Sequence, residues 1–184
     1  MKIRFFDLVF SFLGLMCFSP LFLVIYVILL FDTGKPFFIQ ARVGKKKKIF
    51  YLIKFRTMQV QTKSIASHLC SESNITKVGK ILRKTKIDEL PQLFNVFKGE
   101  MSLVGPRPNL PNQKELIVFR EKHNVYNVLP GITGLAQIQN IDMSMPKQLS
   151  ETDARMIKNF TIKRYFLYIF RTITGSGLGD AIKK

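Results

Sequence analysis

The longest apolar run of the chain lies near its N-terminus. Between Leu8 and Phe31 there are 24 residues without a charged side chain. As an α-helix this run is about 36 Å long, which is enough to cross the hydrocarbon core of a bilayer. A secretory signal peptide fits poorly, because the run is too long and no small-residue cleavage site follows it. We therefore predict a membrane helix.

Two features bear on how this helix sits in the membrane. Ser19 and Pro20 lie at its middle, and a proline there removes one backbone hydrogen bond, which predicts a kink. Basic residues flank both ends: Lys2 and Arg4 before the run, and Lys35, Arg42 and Lys45–Lys48 after it. The positive-inside rule then puts both ends on the cytoplasmic side, which one helix achieves only by turning back. The residues alone leave a re-entrant helix and a plain single span as equal alternatives.

After residue 34 the hydrophobic pattern predicts an α+β unit that is mostly helical. The predicted elements are strands at 36–39 and Ile49–Phe55 that form a small β-hairpin around the basic loop Ala41–Lys48, a polar loop at Ser64–Asn74, and helices at Lys77–Lys86, Leu90–Phe97 and 111–122. The helix at Leu90 rests on apolar residues spaced i, i+3, i+4, i+7, and Gly99 is expected to end it.

The C-terminal part predicts one long helix. Ser150 followed by Asp153 resembles a capping box, and the helix would continue to the aromatic stretch Tyr165–Phe170. Basic residues around that stretch suit a membrane interface. Packing of a terminal helix in the core explains the same aromatic residues equally well.

Composition narrows the class of protein. The 184 residues include 29 Lys and Arg against 12 Asp and Glu, a net charge of +17, yet 47% are hydrophobic and the mean hydropathy is +0.11. A nucleic-acid-binding protein with this charge is usually more polar, whereas a basic and apolar chain suits an anionic membrane surface. Two cysteines and two histidines exclude a disulfide framework and a structural zinc cluster.

The scarce carboxylates contain one adjacent pair, Asp88 and Glu89, in a basic stretch before the helix at Leu90. Asp88 is a plain candidate for the N-cap of that helix. The functional alternative is that the pair holds Mg²⁺, which takes one or two carboxylates plus substrate phosphates, and that an aspartate attacks phosphorus.

Several basic residues suit a phosphate ligand, since guanidinium matches phosphate oxygens with a planar fork. The candidates are Arg42, Lys54, Arg56, Arg83 and Arg107. The turn Gly105–Pro108 would hold Arg107 rigidly, and the segment Pro130–Gln137 can bring backbone N–H groups close to an anion.

Taken together, these segments resemble the bacterial sugar transferase family, the small monotopic phosphoglycosyl transferases. The resemblance is carried by Gln40–Gly44, Lys54–Met58, Lys77–Arg83, Asp88–Val96, Gly99–Pro108 and Pro130–Gln137, in the family's order and spacing over nearly the whole chain.

The resemblance implies a fold and an activity. Members transfer a sugar-1-phosphate from a UDP-sugar to undecaprenyl phosphate and release UMP. The family match makes Asp88 the nucleophile that carries the phosphosugar and Glu89 a Mg²⁺ ligand. It makes Arg83, Arg107 and Arg42 phosphate-binding residues. It also implies a re-entrant helix over 1–34, broken at Ser19-Pro20, and a catalytic domain over 35–184 with interfacial helices.

The same resemblance implies location and partners. It places the protein on the cytoplasmic face of the bacterial inner membrane, on anionic lipid, at the first membrane step of glycoconjugate synthesis ahead of glycosyltransferases, with no nucleic-acid partner. The segments 109–113 and 141–146 resemble the branch that uses N-acetylated hexosamines. The longer relatives' four-span N-terminal domain is absent, so a minimal catalytic form is expected.

Two positions depart from the family pattern. Met156 stands where the family often has a tyrosine. Near Tyr165 the family often has an acidic residue that ties the last helix to the basic N-terminus, and this chain has none there. The departure at Tyr165 puts that tether in doubt.

Two alternatives stay open beside the phosphoglycosyl transferase: a non-enzymatic membrane-surface module, and phosphoryl transfer from another polyprenol-linked donor.

Overall fold

The computed structural model describes residues 2–62 and 72–175. In chain order the elements are α1 (Lys2–Asp32), β1 (Phe37–Val43), β2 (Ile49–Phe55), α2 (Lys77–Lys84), α3 (Gln92–Lys98), β3 (Ser102–Val104), α4 (Lys114–Lys122), β4 (Gly131–Thr133), α5 (Leu135–Ile138), α6 (Pro146–Lys158) and α7 (Ile162–Ile173). The described part is therefore mostly helical with two small two-stranded sheets. Most of the predicted loop Ser64–Asn74 lies outside the described residues.

The long apolar helix α1 packs on the rest of the molecule near both of its ends. At the N-terminal end, Arg4 donates to the carbonyl oxygens of Val96 and Phe97, at 2.6 and 3.0 Å. At the other end, Ile25 and Leu29 are buried in a cluster formed with β2 and α2. A helix held in this way lies along the globular part instead of projecting from it.

One side of α1 exposes many apolar side chains, among them Leu13, Met16 and Leu23. The helix is the one described element that is long and apolar enough to cross a membrane, with a mean hydropathy of 2.6 over its most apolar stretch. Exposed aromatic rings of the globular part flank it: Phe37 lies 5.9 Å from Tyr26, and Phe97 lies 6.2 Å from Phe12 between ring centroids. The apolar surface therefore continues from α1 onto β1 and α3.

The helical backbone of α1 runs through Pro20. A proline has no N–H, so the carbonyl oxygen of Met16, four residues earlier, loses its regular helical donor. The hydroxyl of Ser19 donates to that oxygen at 2.8 Å and replaces the missing donor. The Ser-Pro pair thus keeps the backbone satisfied where a proline alone would not.

A buried hydrogen-bonded carboxylate fixes the start of α1. Asp7 Oδ1 accepts hydrogen bonds from Ser102 Oγ at 3.0 Å, from the Leu103 N–H at 2.9 Å and from the Tyr165 hydroxyl at 2.9 Å. Burial and the Asp7 carboxylate raise the pKa of Tyr165, so this phenol is the donor. The last helix is therefore joined to the start of α1 by a different contact from the acid-to-base tether of the family, with the acid on α1 and the phenol on α7.

Strands β1 and β2 form the predicted hairpin, with β1 longer than expected. The pairing is antiparallel from Phe37 opposite Phe55 to Val43 opposite Ile49, so the predicted basic loop shrinks to a tight turn. Because side chains alternate along a strand, the two faces differ. One face exposes apolar side chains such as Ile39 and Tyr51, while the other buries Arg42 and Lys54.

Strands β3 and β4 are parallel and approach unusually closely next to the turn that carries Arg107. A Cβ on Gly131 would lie 2.0 Å from the backbone nitrogen of Gly105, and a Cβ on Gly105 would lie 2.5 Å from the Leu129 carbonyl oxygen. Only glycine fits at both positions, so the glycines in these two segments serve backbone packing.

The prediction of one long C-terminal helix is wrong. Helix α6 starts at Pro146, so Ser150 lies inside it, fully buried, and does not form a capping box. Helix α6 ends at Lys158, and Thr161 adopts an extended conformation and caps the separate helix α7 by accepting from the Arg164 N–H. Met156 is a buried core residue of α6, packed beside Tyr165 and Tyr168. In the aromatic stretch Tyr165 and Tyr168 are buried, as expected for core packing, while Phe166 and Phe170 are exposed and a membrane interface stays a prediction for them.

Candidate active site

Asp88 and Glu89 lie on a single 3₁₀ turn, Ile87–Glu89, between α2 and α3. Lys86 enters the turn in the left-handed conformation, with φ 58°, and Ile87 packs against the apolar cluster under α1 and β2. Helix α3 starts later, with Pro91 at its N-cap position. The interpretation of Asp88 as the N-cap of that helix is therefore wrong, and the buried Asp88 side chain is placed by the turn.

Glu89 brings together two of the predicted basic residues. Its Oε1 accepts from Lys54 Nζ and from Arg107 Nη2, both at 2.8 Å. All three side chains are largely shielded, with exposed fractions of 14%, 9% and 22% for Glu89, Lys54 and Arg107. Limited solvent access strengthens such charge-assisted contacts. Residues far apart in the sequence thus form one charged cluster next to Asp88.

Lys54 and Arg107 of this charged cluster also line a small cleft, together with Arg42, Leu52, Gln92 and Pro108. The Arg42 guanidinium donates to the Pro108 carbonyl oxygen at 2.9 Å and to Gln40 Oε1 at 2.6 Å. These contacts tie β1 to the turn after Arg107. Arg42 therefore has a supporting contact in the structure in addition to its place in the cleft.

Arg56 and Arg83 lie on the segments around the hairpin and α2. Arg56 donates to the carbonyl oxygens of Lys35 and Phe37 and stacks over the Phe38 ring at 5.5 Å. These contacts secure the start of β1. Arg83 Nη1 lies 3.5 Å from Thr57 Oγ1, on a helix that Gly79 brings against the Thr57 backbone.

Helix α3 is held against the hairpin by a polar side chain that looks solvent-facing in the sequence. Asn95 is fully buried; its amide donates to the Tyr51 carbonyl oxygen at 2.8 Å, and its side-chain oxygen accepts from the Ile53 N–H at 3.1 Å. This contact fixes α3, and with it the preceding turn of Asp88 and Glu89, relative to Lys54 on β2.

Sequence reasoning missed a second buried ion pair. Arg120 on α4 donates to Asp153 on α6 at 2.7 Å, with 2% and 1% of the side chains exposed. Burial raises the pKa of the Asp153 carboxyl, and Arg120 counteracts this rise. Because acidic residues are scarce in this chain, Asp153 could have been singled out from the sequence. Its partner could not, because Arg120 lies 33 residues away along the chain. Arg120 also donates to the carbonyl oxygen of Arg107 at 2.8 Å.

The carboxylate pair fits Mg²⁺ by its donor chemistry. Across residues 2–62 and 72–175 there is no group of three or more His, Cys, Asp or Glu side chains that could hold a metal. Mg²⁺ does not need such a group, because it is commonly bound by one or two carboxylates plus substrate phosphates and water. Asp88 and Glu89 supply that number of carboxylates beside basic residues.

Comparisons with known proteins agree in the family they indicate. The family model for bacterial sugar transferases matches residues 1–177. The chain is 35% identical to the UDP-N-acetylgalactosamine-undecaprenyl-phosphate N-acetylgalactosaminephosphotransferase of Aeromonas hydrophila, over 91% of this chain and 41% of that protein. It is 33% identical to the undecaprenyl-phosphate galactose phosphotransferase of Salmonella typhimurium strain LT2, over 92% of this chain and 39% of that protein.

A shorter relative is covered more completely. The chain is 40% identical to the uncharacterized sugar transferase EpsL of Bacillus subtilis strain 168, over 86% of this chain and 78% of that protein. The chain thus spans about two fifths of the length of the two named phosphotransferases and most of EpsL. Because the family model matches nearly the whole chain, the protein belongs to the bacterial sugar transferase family.

Proposed function

We propose that this protein transfers a sugar-1-phosphate from a UDP-sugar to undecaprenyl phosphate and releases UMP. The observation that supports it most is the turn of Asp88 and Glu89, where one carboxylate lies beside a second that is bonded to Lys54 and Arg107. The printed names of two relatives describe phosphotransferases that act with undecaprenyl phosphate, one on N-acetylgalactosamine and one on galactose. An N-acetylated hexosamine is the donor we propose.

The reaction has two steps with a covalent intermediate. In the first, an oxygen of the Asp88 carboxylate forms a bond to the β-phosphorus of the UDP-sugar. The bond from that phosphorus to the bridging oxygen breaks, and its electron pair leaves with UMP. In the second, a phosphate oxygen of undecaprenyl phosphate attacks the same phosphorus, and the bond to Asp88 breaks. The carboxylate is regenerated, which predicts ping-pong kinetics.

The basic residues serve positioning and charge stabilisation, which carry most of the catalysis in phosphoryl transfer. Lys54 and Arg107 are held at the cleft by Glu89 before substrate arrives, so their donors are already close to where the diphosphate would bind. Arg42 in the same cleft and Arg83 on α2 are the further candidates for phosphate oxygens. Mg²⁺, held by Asp88 and Glu89, would neutralise charge on the diphosphate.

The proposal places the cleft at the membrane surface. Both ends of α1 pack on one globular part, which supports a re-entrant helix over residues 1–34 and a monotopic catalytic domain over 35–184. Basic residues such as Lys45–Lys48, exposed at the tip of the hairpin, suit the anionic lipid of the cytoplasmic leaflet. The product would then pass to glycosyltransferases on the same face of the inner membrane.

A non-enzymatic membrane-surface module is the second candidate function, and the cleft argues against it. A purely electrostatic membrane module gains nothing from a carboxylate that engages two of its cations in a shielded position, since this lowers the positive surface charge. Phosphoryl chemistry gives that carboxylate pair a role.

The test compares wild-type protein with Asp88→Asn in detergent or nanodiscs. Undecaprenyl phosphate is supplied with radiolabelled UDP-N-acetylgalactosamine, UDP-N-acetylglucosamine or UDP-galactose, and labelled lipid and released UMP are measured. We expect Asp88→Asn to abolish transfer while the variant stays in the membrane fraction. The control Glu115→Gln makes the same carboxylate-to-amide change at an exposed residue of α4 and keeps wild-type turnover. Equal turnover of wild type and Asp88→Asn would refute the assignment.

A further inference from the structure

The turn that carries Arg107 is held almost entirely through its carbonyl oxygens. In the segment Gly105–Asn109 the two prolines have no backbone N–H, and Gly105 donates its N–H to the Thr133 carbonyl oxygen at 2.8 Å. The carbonyl oxygens of four consecutive residues accept hydrogen bonds from three elements, β4, α4 and β1. Pro106 is bonded by the Gly131 N–H at 2.9 Å, Arg107 by Arg120 Nη1 at 2.8 Å, Pro108 by Arg42 Nη1 at 2.9 Å and Asn109 by the Val43 N–H at 2.9 Å.

Arg120 is the centre of this arrangement. Besides the Arg107 carbonyl oxygen, its Nη1 reaches Asn109 Oδ1 at 3.0 Å, and that oxygen also accepts from the Tyr126 hydroxyl at 2.9 Å. Its Nη2 is bonded to Asp153 at 2.7 Å. A single planar guanidinium therefore joins α4, α6 and the turn, which the point charge of a lysine could not do with the same geometry.

We propose that Arg120, oriented by Asp153, is a positioning residue for Arg107 in the transfer reaction. The inference rests on the proposed function. Arg120 does not need to touch substrate: it fixes the backbone of Arg107, whose guanidinium reaches Glu89 in the cleft. The route thus runs from Asp153 on α6, through Arg120 and the Arg107 backbone, to the carboxylate beside Asp88.

A positional role explains why a charged pair is kept in the core. Replacing a buried ion pair by apolar residues of similar volume is often neutral or stabilising, whereas removing one partner leaves an uncompensated charge. A pair retained for stability alone is thus replaceable by two apolar residues without loss of turnover. A pair retained for the placement of Arg107 is not, because the apolar residues supply no donor to the Arg107 carbonyl oxygen.

The experiment uses the full chain and the double variant Arg120→Met/Asp153→Leu, which leaves neither buried charge alone. We expect it to fold with a melting temperature close to wild type, but to lose turnover by about 10²-fold, as displaced catalytic groups do. The matched control Leu116→Ala, at a buried residue of the same helix, lowers the melting temperature without a comparable loss of kcat. Near-wild-type kcat in the folded double variant would overturn the proposal.

A double-mutant cycle with Arg107→Ala separates positioning from general structural support. If Arg120 acts through Arg107, the double core variant costs about 10²-fold in the wild-type background and less than about 3-fold when Arg107 is already alanine. Independent effects would multiply instead, and that outcome also contradicts the proposal.

A structural measurement that does not depend on catalysis tests the role of Arg120 separately from the proposed transfer reaction. Hydrogen–deuterium exchange of the peptide 103–110 reports on the turn through the amides of Gly105 and Leu110, which donate to the Thr133 carbonyl oxygen and to Gln113 Oε1. We expect faster exchange of this peptide in Arg120→Met/Asp153→Leu, with the hairpin peptide 49–55 unchanged. Unchanged exchange in 103–110 overturns the positioning role. Faster exchange in a protein that turns over none of the UDP-sugars supports the positioning of Arg107 and refutes the proposed transfer.

Discussion

One oxygen of Glu89 accepts hydrogen bonds from both Lys54 and Arg107, so this carboxylate compensates the positive charge of the two neighbouring side chains. The two positive groups would repel each other in a shielded site without it. In the free protein Glu89 therefore holds the two cations together, and we propose that it also takes part in holding Mg²⁺. Both proposed roles of Glu89, holding the two cations and holding Mg²⁺, require its negative charge.

We expect Glu89→Gln to raise the Mg²⁺ concentration needed for half-maximal turnover by about 10-fold or more, a size typical when support of a metal site is lost. Glutamine keeps the shape and an acceptor oxygen but removes the charge. The measurement is a Mg²⁺ titration of UMP release. The control Glu121→Gln removes a carboxylate whose ion pair with Lys47 is exposed, and such pairs contribute little. An unchanged Mg²⁺ titration in Glu89→Gln would contradict the role.

Tyr165 gives a pH dependence whose sign is fixed by its environment. Burial and Asp7 raise the pKa of this phenol above its ordinary value of 10.0. The folded protein therefore holds the proton more tightly than the unfolded chain. The resulting stability is fully present below about pH 10, the unfolded phenol pKa. It is lost as the pH rises above that value.

We accordingly expect the melting temperature of wild-type protein to fall more steeply than that of Tyr165→Phe as the pH rises above about 10. Thermal unfolding in detergent between about pH 8 and pH 11, a range that brackets the ordinary phenol pKa, measures both slopes. Tyr51→Phe, at an exposed tyrosine, serves as the control and keeps the wild-type slope. If the melting temperatures of wild type and Tyr165→Phe fall equally with pH, this phenol does not contribute to the pH dependence of stability.

At the scale of elements, the carbonyl oxygen of Met16 in α1 depends on the Ser19 hydroxyl for its hydrogen bond. We expect Ser19→Ala to destabilise the protein by about 0.5–1.5 kcal/mol, because Pro20 offers no N–H and the oxygen loses the Ser19 hydroxyl. In hydrocarbon no water replaces that bond. Thermal unfolding in nanodiscs measures the loss.

Ser11→Ala is the matched control for this prediction. The Ser11 hydroxyl also donates to a carbonyl oxygen of α1, that of Leu8, at 3.2 Å. That oxygen has a regular helical donor four residues later, at Phe12, because no proline interrupts the pattern there. The control should therefore lose less stability than Ser19→Ala, and the reverse order would contradict the replacement of the proline's donor by Ser19.

Elements were predictable where local sequence decides them. Alternating residues gave the hairpin, and Gly99, at φ 87°, ends α3 as expected because its missing Cβ permits the left-handed conformation. The C-terminal region was not predictable from local signals. A good capping pattern at Ser150 lies in the interior of α6, since the surrounding helices bury it, and the real break at Asn159–Thr161 carries neither glycine nor proline.

The candidate site divides in the same way. Asp88, Glu89 and Arg107 stand out locally as an adjacent acidic pair and a proline-rich turn, and the structure brings them together with Lys54. The residues that support the site are recognisable only in three dimensions. From the sequence, Asn95 is expected to face solvent, but its side chain bonds α3 to β2. Arg120 is not distinguishable from the other basic residues in the sequence, because its partner Asp153 lies close to it only in the folded protein.

At the scale of the whole molecule, charge and hydrophobicity are spatially sorted. The face of the hairpin that buries Arg42 and Lys54 turns toward the cleft. The opposite face exposes Ile39 and Tyr51, and Phe37 on the same face contacts Tyr26 of α1. Soluble monomers rarely expose apolar surface of this extent. In the proposed reaction, this sorting would let a water-soluble charged donor and a lipid-bound phosphate meet at the cleft while the apolar surface lies in the bilayer.

The last prediction concerns which side of the membrane the start of α1 occupies. Arg4 and Asp7 at one end and Ile25 and Leu29 at the other contact the same globular part, so we expect both ends to lie on the cytoplasmic side. The test appends one cysteine to the N-terminus, or places one at Lys46 on the hairpin tip, in a background with Cys17 and Cys70 replaced by serine. A membrane-impermeant maleimide is then applied to intact spheroplasts and to inverted vesicles.

Both cysteines should react in inverted vesicles and neither in intact spheroplasts. The Lys46 position is the internal control, because it reports the side of the globular part whatever α1 does. A helix that spans the bilayer would leave the N-terminal cysteine reactive in spheroplasts while Lys46→Cys stays protected. That pattern would separate the start of α1 from Ser102 and Leu103 by a membrane, which the hydrogen bonds of Asp7 do not permit. The outcome therefore decides between the re-entrant helix and the single span that the flanking charges left equal.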